Sequence, residues 1–127
     1  MFPVSPVRPL IEHFLAETDS ALPALIQGFY LVGSIALGDY RPGGSDIDFI
    51  AVTPTRPSRE QVAILRHLHA RLQRRYRRPY FDGFYVTRDD LRRDPALAIG
   101  APDAHEGRLT VRPGGLDPVA WETLARY

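Results

Sequence analysis

The sequence contains no cysteine and no lysine. The first absence excludes disulfides, thiolate metal sites and cysteine nucleophiles together, so oxygen ligands must carry any metal chemistry. The second excludes a Schiff-base mechanism and leaves arginine as the side chain that meets a phosphate with a permanent charge. An excess of either charge is lacking too: the formal net charge is +1, which argues against a nucleic-acid partner. No apolar run approaches the length of a membrane span. Met1 to Leu10 holds three prolines and no hydrophobic segment of the kind a secretion signal needs, so a cytoplasmic location without membrane attachment is expected.

What is present fits one ordinary domain spanning 1–127, with 44% hydrophobic residues and no internal repeat. Leu10, Ile11, Phe14 and Leu15 recur at helical spacing over Leu10 to Ala21, before Pro23. Gly28 to Val32 reads as a buried strand running into a Gly33-Ser34 turn, and Ile35 to Tyr40 as a short helix. After the turn-forming Arg41 to Ser45, Asp46 to Thr53 reads as a second strand closed by Pro54. Ser58 and Gln61 have the spacing of a capping box, and Val62, Leu65, Leu68, Leu72 and Tyr76 follow on one helical face. Tyr80 to Val86 reads as a third strand, and Thr87 with Asp90 as another helix start. Arg108 to Arg112 is a further short strand, and Asp117-Pro118 opens a helix that is still running at Tyr127. This alternation predicts an α/β (α+β) arrangement, a small mixed sheet with helices packed on one side.

Within that frame, period-two alternation puts Asp46 and Asp48 on one face of their strand, with Ile47 and Phe49 on the other. Neighbouring carboxylates repel, and a fold tolerates them most readily around a cation. Magnesium suits such a site, because it prefers carboxylate and phosphate oxygens and leaves part of its shell to substrate. The Gly33-Ser34 turn offers backbone N–H groups and a hydroxyl to phosphate oxygens.

Gly33-Ser34 followed after eleven residues by Asp46-Ile47-Asp48 resembles the nucleotidyltransferase superfamily of DNA polymerase beta. The stretch Tyr30 to Phe49 is most similar to bacterial aminoglycoside nucleotidyltransferases of the streptomycin and spectinomycin adenylyltransferase type. Phe81-Asp82-Gly83 sits where that family has a strand with a third carboxylate, and Asp117 to Arg126 is similar to its domain-closing segment. The resemblance implies transfer of a nucleoside monophosphate, AMP from ATP, to an acceptor hydroxyl with one or two Mg2+ ions. It assigns Asp46, Asp48 and Asp82 to catalysis and metal binding, with Asp82 open between metal ligand and base. Gly33, Ser34, Ser45 and Arg41 are the candidate nucleotide-binding residues, although an arginine before a proline turn is more often a surface residue.

The acceptor is less constrained. An aminoglycoside is expected from the resemblance. A protein hydroxyl, as in the minimal nucleotidyltransferases of toxin–antitoxin pairs, and a truncated nucleotide-binding module without transfer are the alternatives. Because the resembled enzymes bind their acceptor against a following helical domain, a homodimer or another protein is expected to complete the cleft. The arginines at 71, 74, 75, 77 and 78 read as a solvated helix end rather than an anionic-partner patch. His13, His67, His69 and His105 lack metal-ligand spacing and are assigned no site.

Overall fold

The computed structural model describes residues 7–32, 47–93 and 98–111. The first element, α1 (Val7–Ala21), buries Leu10, Phe14 and Thr18, three residues four apart on one face. Thr18 is admitted to that face because its hydroxyl donates to the Phe14 carbonyl at 2.9 Å. The second long helix, α2 (Arg59–Arg75), opens on the expected capping box: Gln61 N–H donates to Ser58 Oγ at 3.1 Å and Ser58 N–H to Gln61 Oε1 at 2.8 Å. Its buried face is Val62, Leu65, Leu68, His69 and Leu72.

The strands β1 (Gly28–Val32), β2 (Ile47–Thr53), β3 (Phe81–Thr87), β4 (Pro102–His105) and β5 (Arg108–Val111) form one sheet in sequence order. Only β2 and β3 run parallel, joined by α2; the other pairs are antiparallel. The expected mixed sheet is therefore present. A short helix, α3 (Arg88–Leu91), follows β3 and is capped by Thr87 and Asp90 in a second reciprocal box. Arg56 pairs through its two terminal guanidinium nitrogens with Asp90. Burial alone would raise the Asp90 pKa, but the Arg56 and Thr87 hydrogen bonds outweigh it and hold the carboxyl below its ordinary value.

Alternation along the strands separates the two faces of the sheet. Ile47, Phe49, Ala51, Phe81, Tyr85, Ala104 and Leu109 pack with Leu10, Phe14, Leu65, Leu68 and Leu72 in the helix-side core. Ile50, Val52 and Val86 face the other way and are covered by Ala98 and Ala101, with Phe84 beside them. The helix-side core is aromatic at its centre. Phe49 stacks on Phe81 with ring centroids 4.5 Å apart, and Phe14 meets Phe81 edge-on at 4.9 Å. Gly83 makes the stacking geometry accessible: a Cβ there would lie 2.3 Å from the Phe49 carbonyl oxygen and 2.4 Å from its ring. Burying each Phe or Leu of this cluster contributes about 1.5–3 kcal/mol.

One difference from the sequence reading concerns the sheet. The strand β4 was not expected, and it lies between β3 and β5. The turn joining β4 to β5 has Glu106 at φ 50° and Gly107 at φ 83°, the two positive values of a tight hairpin turn. The expected short helix at 35–40 and the helix opening at Asp117 lie outside the described residues. No helix among the described residues is long and apolar enough to cross a membrane.

Candidate active site

Asp48 is the second residue of β2 and Asp82 the second of β3, and the parallel register sets them directly opposite each other. Their strand neighbours Ile47, Phe49 and Phe81 point into the helix-side core, so both carboxylates are on the opposite face. Adjacent strands are about 4.8 Å apart, which makes this a close pair of like charges across the ladder. Of the carboxylates expected from sequence, the structure brings together Asp48 and Asp82. Asp46 lies outside the described residues, as do Gly33, Ser34, Arg41 and Ser45.

Asp82 is held on both oxygens. Its Oδ1 accepts the Glu106 backbone N–H at 2.8 Å, and its Oδ2 lies 3.1 Å from His105 Nδ1. An ionised carboxylate only accepts, so in this contact Nδ1 carries the proton. The Asp82 side chain is 14% exposed and His105 70% exposed, which places the contact at the rim of the sheet face. Register continues the line: His105 is opposite Arg108. Asp48, Asp82, His105 and Arg108 thus form one row across four neighbouring strands, from carboxylate to imidazole to guanidinium. His105 had no assigned role from the sequence. The signal for it was the Glu106-Gly107 turn, which folds 102–105 back on Arg108–Val111 and carries His105 to Asp82 from 23 residues away.

Three other features separate structural from chemical roles. His69 and the Tyr85 hydroxyl lie 2.6 Å apart, both fully enclosed in the helix-side core. Burial lowers the His69 pKa to about 3 and raises that of Tyr85 well above its ordinary value, so both are neutral packing groups. Arg71 pairs with Glu17, while Arg75 and Arg78 lie against the Tyr76 and Tyr80 rings, consistent with a solvated helix end. A cleft of about 410 Å³ bounded by Leu15, Thr18, Asp19, Leu22 and Ile26 belongs to the helix layer, away from the carboxylate row. Among the described residues no three His, Asp or Glu side chains are grouped to hold a metal ion.

A nucleotidyltransferase domain family model matches residues 11–97, well over half of the chain. The chain belongs to this family. The match runs from α1 through the Gly33-Ser34 and Asp46-Ile47-Asp48 positions to the segment after α3, and so includes Asp82. The β4–β5 hairpin follows the matched residues, so its contact with Asp82 is evident from this chain's own structure. No curated protein and no solved structure matches the chain significantly.

Proposed function

We propose that this nucleotidyltransferase domain transfers AMP from ATP to a hydroxyl of a small acceptor, with an aminoglycoside as the leading candidate. The observation that supports the reading best is the opposition of Asp48 and Asp82 on one face of adjacent parallel strands, within the residues that match the family. Two hard oxygen donors so placed fit a divalent cation.

In this reading Asp46 and Asp48 hold magnesium, with Asp82 as a further ligand or as the base. When bound, magnesium neutralises phosphate charge and orients the triphosphate. The Gly33-Ser34 turn binds phosphate oxygens through backbone N–H groups and the Ser34 hydroxyl, and Ser45 and Arg41 add contacts to the nucleotide. The acceptor oxygen attacks the α-phosphorus in line, the bond to the β-phosphate oxygen breaks, and pyrophosphate leaves. The proton of the acceptor hydroxyl passes to Asp82 if that residue is the base.

The test is incubation with labelled ATP, magnesium and an aminoglycoside panel, reading pyrophosphate release and the destination of the label. Label on a drug is the expected result. Label on a protein of the host extract would replace the small acceptor by a protein hydroxyl, and absence of pyrophosphate release with every acceptor would overturn the transfer reading.

A further inference from the structure

We propose that the β4–β5 turn is the device that holds Asp82 in its working orientation, and that His105 is its positioning residue. The inference rests on the reading of Asp82 as part of the transfer site. A carboxylate on a strand rotates broadly about its terminal torsion, so register alone does not fix where its oxygens point. Here each oxygen is engaged from the same turn, Oδ1 by the Glu106 N–H and Oδ2 by His105 Nδ1. A carboxylate oxygen has two lone pairs, so one hydrogen bond to each oxygen does not by itself use up the capacity of Asp82 to accept.

The turn itself is fixed from behind. Leu109 is buried in the helix-side core, and its carbonyl accepts Arg66 Nε from α2 at 3.1 Å. Gly107 lies so close to α2 that a Cβ there would sit 2.8 Å from Gln73 Cβ. Gln73 in turn accepts the Phe81 N–H at 3.3 Å, one residue before Asp82, and donates to the Tyr76 carbonyl at 2.8 Å. One helix position therefore references both the start of β3 and the turn that grips Asp82. A metal ligand or a base must be held to within about 0.5 Å and 10–20° of its productive geometry, and that is what two hydrogen bonds from a braced turn supply. His105 acts through Asp82 and needs no contact with substrate.

Three substitutions separate positioning from mere presence. His105→Ala removes the grip. His105→Asn places an amide N–H at the branch position of Nδ1, whereas His105→Gln places it at that of Nε2, which the structure does not use for Asp82. Steady-state transfer, calorimetric magnesium–ATP affinity and unfolding midpoints would be measured for the full chain of each variant. The expected result is a loss of about 10- to 100-fold in Ala and Gln, with most of it restored in Asn and with matching midpoints in all three. The loss falls in kcat if Asp82 is the base and in magnesium–ATP affinity if it is a ligand. Wild-type behaviour of His105→Ala in both measurements, equal behaviour of Asn and Gln, or a loss that follows the unfolding midpoint would overturn the positioning role while leaving the transfer reading intact. A wild-type chain that neither binds magnesium–ATP nor releases pyrophosphate would overturn the transfer reading and this inference with it.

Discussion

Lowering the pH from 7 to 5 should destabilise this protein through a residue that takes no part in its chemistry. His69 is 2% exposed, stacks on Phe49 and Phe81, and is held neutral in the folded chain, where burial lowers its pKa to about 3. The unfolded imidazole has its ordinary value near 6.5, so between these values the unfolded chain binds the extra proton. Folded stability is therefore full above about pH 6.5, falls as pH drops by about 1.4 kcal/mol per unit, and stops falling from this source near the folded value. From pH 7 to 5 the loss is about 2 kcal/mol, a large share of an ordinary domain's stability. Urea unfolding at the two pH values measures it. The reference is the double variant His69→Phe/Tyr85→Phe, which keeps the aromatic packing and removes both polar partners. His69→Phe alone should cost about 1–3 kcal/mol at pH 7, because it leaves the enclosed Tyr85 hydroxyl without its partner. The second substitution should recover much of that. Equal losses for wild type and double variant between pH 7 and 5 would refute the account of His69 as a neutral core group.

The remaining predictions concern the carboxylates and the strand contact behind them. Asp46→Asn and Asp48→Asn should each weaken magnesium–ATP binding at least 10-fold while leaving urea midpoints near wild type, since shape is kept and an anionic ligand removed; unchanged affinity by calorimetry in both would remove them from the site. Asp82→Asn should lower kcat far more than nucleotide affinity if Asp82 is the base, and both together if it is a ligand, so wild-type transfer would exclude it. Gly83→Ala should destabilise by about 1–3 kcal/mol, because its Cβ would overlap the Phe49 carbonyl oxygen and ring; a urea midpoint equal to wild type would show that β2 and β3 shift apart at little cost.

Much of the scaffold was readable before the fold was seen, and the exceptions share a cause. The helix opening at Ser58 declares itself locally, through a capping box and an unbroken apolar face, and both are present in α2. The strands β1 and β2 are rich in residues that favour extended chain, and both are present, but β1 lies at the end of the strand order with Tyr30 exposed and is not the buried strand that its apolar run predicts. Pro102-Asp103-Ala104-His105 has none of that propensity. It is a strand because β3 and β5 pair with it from both sides, and because Ala104 is small enough to face the helix-side core opposite Gly83. Tertiary pairing overrides local preference there, and without β4 the Glu106-Gly107 turn alone does not lead from His105 to Asp82. The Asp48–Asp82 opposition depends on register between segments more than thirty residues apart, which strand periodicity leaves open until the crossover helix fixes it.

The two faces of β2 and β3 divide the work in a way that explains how the sheet tolerates two facing carboxylates. Setting Asp48 directly opposite Asp82 disfavours the pairing by about 0.2–1 kcal/mol, the scale of cross-strand charge terms. The residues alternating with them, Ile47, Phe49 and Phe81, are buried on the helix side and each contributes about 1.5–3 kcal/mol. Repulsion on one face is thus outweighed several-fold by burial on the other, and the register that buries Phe49 against Phe81 is the same register that aligns the carboxylates. A slip by one residue in β2 would turn Phe49 to the open face and Asp48 into the core, so the alignment needs no attraction of its own. It follows that neutralising either carboxylate should have little effect on folding, whereas disturbing Phe49 or Gly83 should move both carboxylates from behind.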